Sequence, residues 1–118
     1  AGSAAMHASL VKGEVVTLEQ TQSVADGLLP VRPGDLTFAH VASLVDDIVI
    51  VDDEAIVGAV RWLASHAKLV VEPSGAVSVA AALASQNSKS RENQIVAVLS
   101  GGNISTKSLA SFLMNSQK

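Results

Sequence analysis

The chain has 118 residues, of which 48% are hydrophobic but only 3% aromatic, and its formal net charge is −3. This length allows one small domain, and the weak negative charge, without a basic run, argues against nucleic-acid binding. The absence of cysteine excludes disulfides and thiolate metal sites, and no apolar stretch or signal peptide indicates a membrane or an export route, so we expect a cytoplasmic protein.

The mean hydropathy of +0.38 is high for so short a chain. Small domains bury a smaller share of their surface than large ones do. The excess of apolar residues therefore predicts either a partner surface or a place inside a larger structure. A compact domain rich in Ala and Val is the alternative that composition leaves open.

The first part of the chain is predicted to hold a helix and a short strand. Good helix formers run through residues 1–11, and Gly13 is a typical stop after them. Residues 15–18 have the composition of a strand. The pair Asp26 and Gly27 is a turn signal, but neither flank alternates as a hairpin requires, so we do not expect a simple hairpin.

The middle of the chain is predicted to alternate helix, strand and helix. Helical spacing of apolar residues predicts a helix over residues 36–45, capped by Asp35 or Thr37. The unalternated run Ile-Val-Ile-Val at 48–51 is typical of a strand buried on both faces. Acidic residues 52–54 then favour a helix start. That helix is predicted to run to about residue 67 with an apolar stripe and a flanking packing residue: Ile56, Ala59, Val60, Leu63 and Ala67, beside Trp62.

The last part of the chain repeats this alternation. Glu72 and Pro73 open a predicted helix whose body is residues 77–85, because proline is favoured in a first helical turn. Glu72 is placed either to cap that helix or to stand as a carboxylate beside a site. A polar surface loop at 86–92, an apolar strand at 95–99 and a final helix through residues 109–113 complete the prediction.

The turn Ser100-Gly101-Gly102-Asn103 follows the last predicted strand and is the first candidate site. Two glycines permit a tight turn and a close approach of the backbone to a ligand. Ligands of open α/β sheets bind beyond the carboxyl ends of the strands. On this pattern alone, an ordinary strand-to-helix turn is the simpler interpretation.

Metal-binding patterns are absent from the sequence. His7, His40 and His66 share no ligand spacing. Asp46 and Asp47 stand together, but no further oxygen ligands are patterned around them, so we interpret the pair as a solvated junction. We predict no metal site.

Three stretches in order carry a family resemblance: residues 24–28 (Val-Ala-Asp-Gly-Leu), residues 68–76 (Lys-Leu-Val-Val-Glu-Pro-Ser-Gly-Ala) and residues 98–103 (Val-Leu-Ser-Gly-Gly-Asn). Together they resemble threonine ammonia-lyases (threonine/serine dehydratases) and the related serine racemases. The resemblance covers nearly all of the chain. It implies an α/β fold, namely part of a tryptophan-synthase-β-like (fold type II) pyridoxal-phosphate domain with a parallel-strand sheet and flanking helices. Residues 1–118 would form one segment, the C-terminal part of the large domain.

The resemblance also implies roles for five residues. Ser100 would donate a hydrogen bond to the pyridine nitrogen of pyridoxal 5'-phosphate, and Gly101 and Gly102 would let the backbone approach the ring. Gly27 matches a family glycine that borders the active site, and Glu72 matches a glutamate on the substrate side of the ring, which makes it the candidate catalytic residue. A serine hydroxyl does not hold the ring nitrogen protonated as a carboxylate would, so the ring is a weaker electron sink suited to β-elimination.

The sequence departs from the family in what it lacks. The family's Schiff-base lysine lies in a Ser-x-Lys-x-Arg-Gly-Ala motif, and neither that motif nor the glycine-rich phosphate loop occurs here. The metal-binding aspartate of the serine racemases has its place at Ala5. We therefore expect a chain that is inactive alone, binds the cofactor only with the rest of the same catalytic domain, and forms a homo-oligomer when complete.

Three functions are compatible with the resemblance. The first is β-elimination of L-threonine or L-serine to a 2-oxo acid and ammonia by the complete enzyme. The second is a serine racemase or hydroxyaspartate dehydratase, also acting on a hydroxy amino acid. The third, from another class, is a non-catalytic stand-alone remnant that acts as a binding module.

Overall fold

The computed structural model describes residues 1–85 and 94–114, in which the chain forms five α-helices. They are α1 (Ala5–Lys12), α2 (Asp35–Leu44), α3 (Asp53–Trp62), α4 (Pro73–Ser85) and α5 (Thr106–Met114). A 3₁₀ turn spans Asp26–Leu28, and a π-helical turn, Leu63–Ala67, continues α3. The predicted loop at 86–92 lies outside the described residues. None of the described helices is both long and apolar enough to cross a bilayer.

The helix predictions are confirmed in position, with shifted boundaries. Gly13 ends α1 in the left-handed conformation with φ 77°, as a glycine stop should. Asp52 caps α3 by accepting a hydrogen bond from the Ala55 N–H at 2.8 Å. The cap predicted for α2 is wrong, because Gly34 occupies the N-cap position without a side-chain hydrogen bond and Asp35 instead pairs with Arg32 at 2.6 Å.

The core forms where α3 packs across α4. Its buried apolar residues come from both helices and the segments that lead into them: Ala25, Ile56, Ala59, Val60, Leu63, Val71, Ala76, Val79 and Ala80. The predicted stripe of α3 is confirmed except at Ala67, which is exposed. Trp62 is 40% exposed and stacks on His66 with ring centroids 5.3 Å apart, so it packs on the surface. Small residues on α4 let the two helices approach closely.

The predicted strands are not formed in the part of the chain that the structure describes. Residues 15–18, 48–51 and 95–99 are neither helix nor strand there. The prediction that the last two of these segments are buried is also wrong, since Val49 is 66% and Val96 is 89% exposed. A β-strand requires a ladder of hydrogen bonds to a neighbour, and the described residues give these segments only isolated bonds, such as that from the Leu18 N–H to the Val31 carbonyl at 2.9 Å. Their apolar patterns are those of strands, but no sheet closes over them here.

The chain leaves a large surface in water. The chain exposes 8318 Å², whereas a folded monomer of 12.1 kDa exposes roughly 6,000 Å². The difference agrees with the high hydropathy of the sequence.

Candidate active site

The candidate site is built at the N-terminus of α4, where Glu72 holds the turn 100–103. The Glu72 N–H donates to the Gly101 carbonyl oxygen at 3.1 Å. Its side chain also reaches the turn, because Oε2 accepts from the Asn103 N–H at 2.8 Å. Backbone and carboxylate of one residue therefore bracket Gly101 from both sides.

Gly75 and Gly101 are needed for this approach. A Cβ added to Gly75 would lie 2.7 Å from the Gly101 oxygen and 2.8 Å from the Gly101 nitrogen. A Cβ added to Gly101 would collide with the Glu72 carboxylate. Gly75 is thus required for contact distance because it faces backbone, whereas a side chain at Gly101 would displace the Glu72 carboxylate; neither glycine has a positive φ. The close approach observed here is between two parts of the chain, and the approach of Gly101 and Gly102 to a ligand stays a prediction.

Gly27 lies on the other side of the α4 N-terminus. Its N–H points at two acceptors, Ser74 Oγ at 2.9 Å and Asp26 Oδ1 at 2.8 Å. The Ser74 hydroxyl in turn donates to Asp26 Oδ1 at 3.3 Å. The 3₁₀ turn that carries Gly27 is therefore attached to the first turn of α4.

A carboxylate from α3 holds the chain just before that turn. Asp53 Oδ1 accepts from the Ser23 hydroxyl at 2.6 Å, and Oδ2 accepts from the Val24 N–H at 3.0 Å. The next residue, Ala25, is fully buried in the core. The loop is thus anchored to the N-termini of two helices.

A cavity of about 280 Å³ opens beside these two turns and is bordered by α5. Its walls carry carboxylates, hydroxyls and an amide together with apolar side chains: Val24, Asp26, Glu72, Pro73, Asn103, Ile104, Ser105, Ser108 and Phe112. The described residues contain no cluster of three or more His, Cys, Asp or Glu that could hold a metal ion. The polar side chains of the lining offer hydrogen-bonding groups to a ligand in the cavity.

Three of the five predicted site residues are joined to the N-terminus of α4. Glu72, Gly101 and Gly27 are joined to it by the contacts above, and a Cβ on Gly102 would lie 3.1 Å from the Val70 oxygen. Ser100 is exposed and directly precedes the bracketed Gly101. Ser74, Asn103 and Asp53 contribute contacts that we did not predict. A hydroxyl directly after the first proline of a helix was the signal for Ser74.

Comparison with known proteins shows the family to which this chain belongs. Residues 1–101 match the family model described as pyridoxal-phosphate dependent enzyme. The chain belongs to this family. The match extends over more than half of the sequence, and the prediction from the three stretches is confirmed.

Two curated relatives and one solved structure illustrate what this chain is similar to. A serine racemase from Oryza sativa subsp. indica is 43% identical over 100 residues, covering 81% of this chain and 29% of that protein. An L-threonine ammonia-lyase from Geobacter sulfurreducens is 40% identical over 104 residues, covering 88% and 26%. The processed form of threonine deaminase isoform 2 from Solanum lycopersicum superposes with a TM-score of 0.88 at 33% identity, covering 94% and 31%.

These comparisons show the fold class of the chain and how much of its relatives the chain spans. The match to the tomato enzyme confirms the fold type II assignment, and the family is pyridoxal-phosphate dependent. The chain spans less than a third of the length of the rice and Geobacter proteins.

Loss of the Glu72 carboxylate should loosen the turn 100–103. In Glu72→Ala the Asn103 N–H loses its acceptor, and because this bond is exposed to water we expect the free energy of unfolding to fall by about 0.5–1.5 kcal/mol. Glu72→Gln keeps an oxygen acceptor and should lose less than half as much. Urea denaturation of the two variants measures the difference, and equal stability of both variants with the parent chain would contradict the bracket.

Proposed function

We propose that this chain supplies the pyridine-ring side of a site for β-elimination of L-threonine or L-serine to a 2-oxo acid and ammonia. The observation that carries the proposal is the bracketed turn 100–103 at the N-terminus of α4, with Gly27 attached to the same helix end. The L-threonine ammonia-lyase of Geobacter sulfurreducens supports this choice of reaction.

The residues fit the cofactor of the family. A pyridine nitrogen needs one hydrogen-bond donor, and the exposed Ser100 hydroxyl stands next to two glycines that add no side chain. Pyridoxal phosphate, when bound, supplies an electron sink that makes the α-proton of an amino acid removable. Ser100 would hold the ring nitrogen, while Gly101, Gly102 and Gly27 would border the ring.

The reaction balances without a redox partner. The α-proton and the β-hydroxyl leave the substrate together as water, and the resulting enamine takes up water to give 2-oxobutanoate from threonine and release ammonia. Because a hydroxyl at the ring nitrogen does not hold it protonated, charge at the α-carbon is stabilised less, which favours rapid loss of the β-hydroxyl. We assign Glu72 as the carboxylate on the substrate side and therefore as the candidate catalytic residue.

The anchoring lysine and the phosphate loop have no counterpart in this sequence, so we propose that the chain is inactive alone. Its partner would be the remainder of the same catalytic domain. The surface of 8318 Å² supports this partner, because the segments at 48–51 and 95–99 leave large apolar side chains such as Val49 and Val96 exposed. A homo-oligomer is proposed for the complete enzyme.

The second candidate is serine racemization, favoured by the 43% identity to the rice serine racemase. It uses the same ring-side residues and differs in the fate of the β-hydroxyl. A hydroxyaspartate dehydratase and a non-catalytic binding module are weaker candidates, because the rice and Geobacter relatives described above carry the names of the two other activities.

A chimera tests these candidates. The matched segment of the Geobacter L-threonine ammonia-lyase is replaced by this chain, and cofactor absorption, 2-oxo acid release from L-threonine and L-serine, and D-serine formation are measured. The proposal expects a yellow protein that releases 2-oxobutanoate. A yellow protein that yields D-serine without 2-oxo acid would favour the racemase, and a folded protein that binds no cofactor would refute both.

A further inference from the structure

The Ser74 hydroxyl occupies a position that the proposed function does not use. It lies in the first turn of α4, one residue after the buried Pro73 and two residues after Glu72. A helix start leaves N–H groups without intrahelical partners, and hydroxyls there commonly accept from their own helix. Ser74 instead accepts from the Gly27 N–H, 47 residues earlier in the chain.

The hydroxyl is engaged as donor and acceptor at the same time. It accepts from the Gly27 N–H at 2.9 Å and donates toward Asp26 Oδ1 at 3.3 Å. A hydroxyl can do both, whereas a methyl group can do neither. The bond to Asp26 is the longer of the two, so the bond from the Gly27 N–H is the main contact. Ser74 therefore contacts both residues of the Asp26-Gly27 pair.

The contact is close enough to restrict Gly27. A Cβ added to Gly27 would lie 3.0 Å from Ser74 Oγ and 3.2 Å from Ser74 Cβ. The Gly27 N–H is occupied by Ser74 and Asp26, so it does not serve as a donor to a ligand. The Asp53 contacts reach Ser23 and Val24 and stop before the turn. They anchor the loop, whereas Ser74 sets the position of Gly27 itself.

We propose that Ser74 is a positioning residue for the cofactor site: it fixes the Gly27 backbone against the N-terminus of α4 and thereby sets one wall of the ring pocket. This inference rests on the proposed function, in which Gly27 borders the ring. It adds a residue to that function, because Ser74 acts through Gly27 and does not contact the ring in the proposal. The same hydroxyl links Gly27 to the helix that follows Glu72, so both turns of the site share one support.

Amide hydrogen exchange in the 118-residue chain tests the contact without cofactor. Ser74→Ala removes one of the two acceptors of the Gly27 N–H and leaves Asp26 Oδ1 at 2.8 Å, so the exchange rate of that amide should rise roughly threefold, the lower end of the range for one hydrogen bond. Ser74→Thr keeps the hydroxyl and should restore protection. Ser43→Ala is the matched control, because the Ser43 hydroxyl bonds to the His40 carbonyl within α2. Core amides such as that of Val60 should be unchanged in all three variants.

Cofactor binding in the chimera tests the positioning role. Pyridoxal phosphate should bind the Ser74→Ala chimera roughly tenfold more weakly, with a shifted visible absorption band, while Ser74→Thr and Ser43→Ala should match the parent. Unchanged Gly27 exchange in Ser74→Ala would overturn the contact. Faster exchange with unchanged affinity and spectrum would show a purely structural role and overturn the positioning. A parent chimera that binds no cofactor would overturn the proposed function. The exchange experiment needs no cofactor, so it would still show whether Ser74 contacts Gly27.

Discussion

Replacement of Gly75 by alanine should destabilise the chain by about 1–3 kcal/mol, the range measured when extra atoms are forced into a packed interior. The added methyl would lie 2.7 Å and 2.8 Å from backbone atoms of Gly101. Backbone atoms cannot rotate aside, so α4 and the turn 100–103 must separate. The Glu72 N–H would then lose the Gly101 carbonyl at 3.1 Å. Chemical denaturation followed by circular dichroism measures the loss.

Gly58 supplies the matched control for this substitution. It lies within α3, and a Cβ added there has no neighbour within 4 Å. Alanine is the better helix former, so Gly58→Ala should stabilise the chain by about 0.5–1 kcal/mol. Opposite signs for the same change at two helical glycines would establish that contact distance is what Gly75 provides. A neutral Gly75→Ala would contradict the close approach of α4 to Gly101.

The helices could be predicted because their signals are local. α3 has its N-cap Asp52, acidic residues in its first turn and an apolar stripe, and all three lie within one short segment. The structure places acidic residues in the first turn and buries Ile56, Ala59 and Val60, as predicted, and it adds the role of Asp52 as the N-cap. The start of α4 at Pro73 follows in the same way from proline's fixed φ. Residues close in sequence contain this information.

The strands and the contacts of the site depend on residues far apart in sequence. The run at 95–99 has the composition of a buried strand, but a strand also needs a neighbour to pair with. Nothing within those residues says which segment pairs with it, and Val98 is 70% exposed in the structure. Its carbonyl accepts a hydrogen bond from the Ser78 hydroxyl at 2.7 Å, which ties the run to α4.

In the candidate site, too, some residues could be predicted from the sequence, whereas their contacts could not. The glycines of the turn 100–103 and Glu72 were found by their resemblance to a family pattern. What Glu72 bonds to, and that Gly75 touches Gly101, depends on how α4 meets a segment about 26–31 residues later. The bond from Gly27 to Ser74 spans 47 residues. Spacing along the chain does not contain these distances.

Ser100→Ala should impair catalysis strongly while leaving the fold intact. Ser100 is exposed, so the loss of its hydroxyl should change the stability of the chain by less than about 0.5 kcal/mol. In the chimera, the proposed hydrogen bond to the ring nitrogen would disappear. Donors placed where charge develops are typically worth 10²–10³ in kcat, and for a single hydroxyl we expect roughly 10²-fold. The rate of 2-oxobutanoate release from threonine measures the loss.

Two further variants separate a hydrogen bond from a change in ring charge. Ser100→Thr retains the hydroxyl and should keep most of the activity. Ser100→Asp places a carboxylate at the ring nitrogen, which would hold the nitrogen protonated and strengthen the ring as an electron sink. Elimination should then slow while proton exchange at the substrate α-carbon continues, because charge there is stabilised without loss of the β-hydroxyl. Deuterium incorporation from heavy water into unreacted threonine measures that exchange. If Ser100→Ala and Ser100→Asp both kept the parent rate of elimination, Ser100 would not face the ring nitrogen. The proposal that the turn 100–103 borders the pyridine ring would then be wrong.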